Sequence, residues 1–316
     1  MNSVPFCLNP NYSTTRHLTR QQPIFEKQPS DKLESVLFLP AGAGRQGEGG
    51  LRTQGYFKTS LPDQTLITVV TVVFNGVNHL EETILSVINQ TYSNIEYIII
   101  DGGSTDGTVN IIRKYEHAID YWVSEKDSGI YEAMNKGIVV ANGEWIAILN
   151  ADDSYIDMGS LSIIACLPNN IEVLATDVVM LTYEGEKLFV VDKNRPIYKN
   201  IPYMHTGMFI CRSVYKQLGL YEIKYSIASD VDFIFRVIDA GIDITYHDCP
   251  LVKMRDDGAS ARYFNIGRKE YKEIYKFYGG SMFLAVYGYW LYIIENKLYS
   301  TLLIRHSFRL LKKAFQ

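Results

Sequence analysis

Acidic residues recur where apolar runs give way to polar ones. Asp101 follows Ile95–Ile100, and Asp127 closes the SEKD that follows Ile119–Val123. The pair Asp152-Asp153 follows the run Trp145–Leu149 in LNADDS. An acid at the end of a buried apolar run is costly unless a cation or hydrogen-bond donors compensate it. The adjacent carboxylates of Asp152 and Asp153 offer hard oxygen ligands of the kind that Mg²⁺ and Mn²⁺ accept. Both ions take few protein carboxylates and complete their shell with phosphate oxygens and water. A diphosphate leaving group needs that neutralisation. Phe74 and Asn75 close the first apolar run, and Asp230 opens a helix-periodic segment, SDVDFIFR.

The elements that must position these groups follow from periodicity. Leu66–Phe74 is nearly continuous and β-branched, as for a strand buried on both faces of a parallel sheet. Ile95–Ile100, Ile119–Val123 and Trp145–Leu149 repeat the pattern. Helical spacing separates them: Leu80, Ile84, Val87 and Ile88; Ile111, Ile112 and Tyr115; Ile130, Met134 and Ile138. Asn78 with Glu81 predicts an N-terminal cap for the first helix. This alternation implies right-handed crossovers and an open, mostly parallel α/β sheet of Rossmann-like type, with ligands beyond the carboxyl ends of its strands. The loops after Phe74, Ile100, Val123 and Leu149 therefore face one site. Farther on, a strand is predicted at Gly207–Arg212, a helix over Asp230–Asp239 and a strand at Ile242–His247.

Charge and composition exclude several classes. The net charge of −4 hides basic ends: residues 1–60 carry seven Lys/Arg against four Asp/Glu, and residues 295–316 five against one. The acidic middle argues against a nucleic-acid groove. No CxxC pair occurs among Cys7, Cys166, Cys211 and Cys249, so neither a zinc cage nor a dense disulfide frame is indicated, which fits a reducing cytoplasm. No secretory leader opens the chain, and no apolar run approaches a membrane span. A dinucleotide-dependent oxidoreductase needs a GxGxxG turn after the first strand, and FNGVNHLEE lacks it. Residues 1–62 read as a partly disordered extension separable from the chemistry, with PAGAGRQGEGG (40–50) a flexible loop. A core domain over 63–262 and a helical region over 263–316 follow.

The ordered set TVVTVVFN (68–75), SVINQTYSNIEYIIIDGGSTDGT (86–108), NGEWIAILNADD (142–153) and IASDVDFIFR (227–236) resembles glycosyltransferase family 2, of the GT-A fold. The resemblance implies an inverting transferase using a nucleotide-diphosphate sugar, commonly a UDP-sugar, with Mn²⁺ or Mg²⁺. DSGIYEAMNKG and LNADD resemble bacterial enzymes of lipopolysaccharide, capsule or exopolysaccharide synthesis, which implies a saccharide or lipid-linked acceptor. Carried over by position, Asp101 matches the acid that bonds the nucleotide base, Asp152 and Asp153 the metal-binding acids, and Asp230 the catalytic base. Phe74, Asn75, Asp127 and Asp152 fall on the donor side. His205, in PYMHTGMF, resembles a position near the acceptor. Asn150 stands where many members have the first acid of the metal motif, and Ser229 where many have Glu. An inactive nucleotide-sugar-binding partner subunit is therefore the rival reading.

Each assignment has a plainer counterpart. Asp101 and Asp127 also suit a turn or a helix start, and Asp152-Asp153 a solvated acidic turn. His205 also suits a structural histidine, and Ser229 or Asp230 a helix cap. RDDGASAR (255–262) reads either as a surface loop or as a closing loop from which Arg255 or Arg262 reaches phosphate. Phe283–Phe315 has the texture of a basic amphipathic helix. It packs on the domain or lies on an anionic membrane, giving a cytoplasmic protein peripheral to the membrane's inner face.

Overall fold

Two-sided burial of the central strands organises the fold. The computed structural model describes residues 5–42, 44–168, 170–192, 203–256 and 258–280. Its strands are β1 Gly47–Gly49, β2 Ile67–Val73, β3 Ile95–Asp101, β4 Tyr121–Ser124, β5 Trp145–Asn150, β6 Ser154–Tyr155, β7 Val173–Thr182, β8 Gly185–Phe189, β9 Met208–Cys211 and β10 Ile244–Arg255. Its α-helices are α1 Leu80–Ile88, α2 Thr108–Lys114, α3 Ile130–Val140, α4 Arg212–Leu218, α5 Ser229–Asp239, α6 Ala259–Arg262 and α7 Phe264–Phe277. The ten strands form one sheet ordered β1-β4-β3-β2-β5-β9-β7-β10-β6, with β8 paired to β7. β4, β3, β2 and β5 run parallel, and β9 enters antiparallel beside β5.

All residues of β2 and β3 are buried. Val70, Val72, Ile98 and Ile100 pack with α3, α4, α5 and α7 on one face. Val69, Val73, Tyr97 and Ile99 pack with α1 and α2 on the other. Period-two alternation within an unbroken apolar run thus feeds two cores, the condition for a parallel sheet sandwiched by helices.

Several local expectations need correction. The stretch 40–50 is not loop throughout: Gly47–Gly49 pairs antiparallel with Ser124–Trp122 as an edge strand. Its glycines permit this approach, since a Cβ on Gly49 would stand 2.6 Å from the Trp122 indole nitrogen, and Gly50 adopts φ +99°. The segment from 5 to 60 also buries Leu18, Leu33, Leu51 and Phe57. Helix α1 begins after His79 with no side-chain cap, so the Asn78 cap is not formed; Glu81 instead bonds Lys114 and Tyr115. β10 extends past His247 to Arg255, its register with β7 shifting between His247 and Val252. That irregularity carries Pro250, which has no N–H for the ladder, through the strand. The β7–β8 hairpin, paired Val178–Thr182 with Phe189–Gly185, has no counterpart among the elements expected from periodicity. The basic stretch 283–315 lies outside the described residues. No described helix is long and apolar enough to cross a membrane.

Candidate active site

The carboxyl ends of β2, β3, β4 and β5 carry two connected groups of polar side chains. At β3, Asp101 is fully buried. Its carboxylate accepts from the Gly103 and Ser104 amides at 3.2 and 3.0 Å, from the Ser124 hydroxyl at 2.6 Å and from the Ser104 hydroxyl. Those bonds fold the DGGS turn, the plainer role open to this residue. Asn75 has φ +53°. Its amide donates to Ser104 Oγ at 2.7 Å and its side-chain oxygen accepts from Thr105 N–H at 3.0 Å, tying the loop after β2 to the loop after β3. Phe74 is 67% exposed at this rim. Asp127 accepts from Gly129 N–H at 3.0 Å and helps start α3. Burial pushes its carboxyl above the usual range, against the pull of that amide.

The second group lies across β5. Asp153 is 1% exposed. Its oxygens sit 3.2 Å from Asn150 Nδ2 and 3.3 Å from the Arg255 amide. Burial, reinforced by the adjacent Asp152 charge, pushes its pKa up to about 8. Asp152 is half-buried beside it. Thr83 on α1 donates to the carbonyls of Ala151 and Asp153 and so pins this turn. Asn150 Nδ2 also lies 3.2 Å from His205 Nε2. His205 Nδ1 is in turn 3.3 Å from Asp230 Oδ2, and the Tyr131 hydroxyl donates to Asp230 Oδ1 at 2.7 Å. One chain of contacts therefore runs Asp153–Asn150–His205–Asp230–Tyr131.

Electrostatics in this chain favour an ion pair. Burial opposes charge on both partners. For His205 the Asp230 hydrogen bond and the nearby acids overcome that penalty and raise its pKa. For Asp230 the His205 and Tyr131 contacts overcome it and hold the carboxyl below its usual range. Helix α5 begins after Ala228 without a side-chain cap, so Asp230 sits in its first turn with its oxygens aimed at His205 and Tyr131. Asp232 is engaged elsewhere, with Arg236 at 3.0 Å.

The remaining predicted residues fall at the edge. Arg255 pairs through its side chain with Glu82 at 3.0 Å. Arg262 is exposed on α6, its amide bonding the Gly258 carbonyl. Sequence reasoning missed Tyr131, although its motif was in view, because helical spacing alone does not show which neighbour a tyrosine meets. It also treated Asn150 as a missing acid; the structure makes its side-chain amide a bridge between Asp153 and His205, whose protonated ring donates Nε2–H to the amide oxygen when the amide is turned to receive it. Among the described residues, no three His, Cys, Asp or Glu side chains gather as a complete metal cage.

Residues 68–219 match the model of Glycosyl transferase family 2, a span that ends before Asp230. The chain is 30% identical over 190 residues to an uncharacterized glycosyltransferase of Mycobacterium tuberculosis, covering 54% of this chain and 68% of that one. It is 29% identical over 180 residues to a PGL/p-HBAD biosynthesis glycosyltransferase of Mycobacterium bovis, covering 54% and 69%. Among solved structures it is similar to S. aureus TarS 1-349 in complex with UDP-GlcNAc, with TM-score 0.54, 15% identity and coverage of 67% and 65%. The mannosyltransferase PcManGT of Pyrobaculum calidifontis, in complex with GDP-Man and Mn²⁺, gives TM-score 0.53 at 16% identity, covering 67% and 64%. The chain thus spans just under two-thirds of each of these solved proteins, and the likeness is one of fold. Family model, relatives and sheet topology agree, and the chain belongs to glycosyltransferase family 2, on the GT-A fold.

Proposed function

We propose that this chain transfers a sugar, with inversion, from a nucleotide-diphosphate sugar, most simply a UDP-sugar, to a hydroxyl of a saccharide or lipid-linked acceptor. One observation carries the reading: an ionised Asp230, held between Tyr131 and His205, connects through Asn150 to the acids at the end of β5. Asp230 takes the proton from the acceptor hydroxyl as it attacks the anomeric carbon. Its depressed pKa keeps it ionised but weakens it as a base, so its contribution lies in position. No covalent intermediate is needed. Phe74, Asn75, Asp101 and Asp127 line the donor side, with Asp101 acting chiefly by shaping the DGGS turn. His205 fixes Asp230 and faces the acceptor. Arg255 and Arg262 stand at the rim for phosphate.

The acid pair fits a divalent cation. Burial leaves the Asp153 carboxylate undercompensated, and Asp152 is partly open beside it. Mn²⁺ or Mg²⁺ on Asp152 and Asp153, with the rest of its shell from diphosphate and water, would supply charge neutralisation to the leaving group. The mycobacterial relative named for PGL/p-HBAD biosynthesis and the neighbours in complex with UDP-GlcNAc and GDP-Man support a nucleotide-sugar donor.

The test is Asp230→Asn, assayed with a panel of UDP-, GDP- and dTDP-sugars by mass spectrometry and NMR of the product anomer. Transfer should fall about 10²–10⁴-fold, the usual cost of losing a general base, with nucleotide affinity near normal; the loss of the ion pair with His205 should lower thermal stability without unfolding the chain. Transfer kept within about tenfold removes Asp230 from that role; a retained anomer removes the single displacement.

A further inference from the structure

Helix α7 lies beyond the family-matched span, yet it reaches back to the turn that carries Asp230. Glu270 Oε1 accepts from the Ser226 amide and hydroxyl, both at 2.8 Å. Its Oε2 accepts from the amides of Ile227 and Ala228, both at 2.9 Å. One carboxylate thus takes four donors from the three residues that precede α5. Because α5 has no side-chain cap of its own, the charge also complements its N-terminal end. The approach is close: a Cβ on Gly267, one turn earlier, would stand 2.9 Å from Ile227 Cγ2. Farther along, Tyr278 stacks on Phe235 of α5 at 5.2 Å, and Tyr271 and Ile274 are buried. The Tyr131 hydroxyl, which bonds Asp230, also lies 2.8 Å from the Ile227 carbonyl. Glu270 and Tyr131 therefore hold the same turn, one through its donors and the other through the Ile227 carbonyl.

We propose that Glu270 is a positioning residue for Asp230: it fixes the 226–228 turn so that the carboxylate keeps its place between Tyr131 and His205. The proposal rests on Asp230 being the base. Most surface carboxylates hold one cation or one amide and contribute little when removed. Here one carboxylate accepts three backbone amides and one hydroxyl from residues two to four positions before the reacting group, where a displacement of about 1 Å costs up to about 10²-fold in rate.

Four variants of the full chain test it: Glu270→Ala, Glu270→Gln, Asp230→Asn and the double variant Asp230→Asn/Glu270→Ala. Rates are read well below each variant's unfolding temperature, and UDP affinity by calorimetry. Glu270→Ala should lower kcat by about ten- to a hundredfold, with donor KM and UDP affinity within about twofold. Glu270→Gln keeps the size and one accepting oxygen, folds, and should fall between. Added to Asp230→Asn, the loss of Glu270 should leave the residual rate unchanged, because it acts through Asp230. An unchanged kcat in Glu270→Gln and Glu270→Ala, or the same factor lost in both backgrounds, overturns the positioning role while the base stands. Near-normal transfer by Asp230→Asn overturns the base and this proposal with it.

Discussion

Asp153 is the side chain at which burial and function pull hardest against each other. With its folded pKa near 8 against an ordinary 3.8, it keeps in the fold a proton that the unfolded chain releases. The folded state then binds more protons across that window, so this group's contribution to stability falls as pH rises from about 4 to about 8. Cation binding displaces the same proton and is therefore favoured at the upper end. Without metal, wild-type Tm should fall more steeply between about pH 5 and pH 8 than that of Asp153→Asn. Mn²⁺ should raise wild-type Tm more near pH 8 than near pH 5, and should scarcely move the variant. Differential scanning calorimetry across pH checks both. A Mn²⁺ shift that is equal at both pH values and survives in Asp153→Asn removes this residue from the metal site.

Between single side chains and the whole chain lies the segment from 5 to 60, a strap along the β4 edge. Arg52 is 3% exposed; its guanidinium bonds Glu96 at 2.7 Å and the carbonyls of Leu37 and Val140 at 2.6 and 2.9 Å. Glu96 in turn accepts from Thr68 on β2 and from the Asn142 amide. Lys58, fully enclosed, reaches Asp120 at 3.3 Å and the carbonyls of Thr14 and Ile95. Cutting the chain near Leu61 would strand Glu96 and Asp120 as buried acids without their cations, so the strap should prove inseparable from the sheet. Arg52→Ala should cost about 3–5 kcal/mol, the usual penalty for breaking a buried pair. Urea unfolding monitored by circular dichroism measures it, and a loss within about 0.5 kcal/mol, the range of ordinary surface changes, would return the strap to a detachable role. Composition hid this. Glycine and scattered polar residues read as unpacked because side-chain periodicity is the signal for packing, whereas Gly49 and Gly50 pack through backbone. The central strands were legible, since unbroken β-branched runs have one economical fate in an α/β sheet. The acids at their ends were legible for the same reason. Tyr131, Asn150 and Glu270 were not: their meaning lies in partners up to 99 positions away along the chain.

At the scale of the whole molecule, charge is segregated along the sequence: basic ends flank an acidic middle that includes Asp152 and Asp153 at the end of β5. Residues 296–316 hold Lys297, Arg305, Arg309, Lys312 and Lys313 and no acid, interleaved with Leu298, Leu302, Leu303, Ile304, Phe308, Leu310 and Leu311. Cations and apolar side chains in that mixture bind anionic bilayers by two additive contributions. Each Lys or Arg near the surface adds about 1 kcal/mol, and apolar side chains add insertion. Only the first is screened by salt, over a length of about 10 Å at 0.1 M. If the acceptor is lipid-linked, as proposed above, binding at such a surface would raise the local concentration of enzyme where the acceptor is. Removing residues 296–316 should therefore reduce co-sedimentation with vesicles rich in phosphatidylglycerol while leaving nucleotide affinity unchanged. The intact chain should bind neutral phosphatidylcholine vesicles weakly and should leave the anionic ones as salt rises. Transfer to a soluble saccharide should be the same with and without the tail, and transfer to a lipid-linked acceptor in vesicles should fall on its removal. Equal sedimentation of the two chains would remove the membrane from the role of this segment.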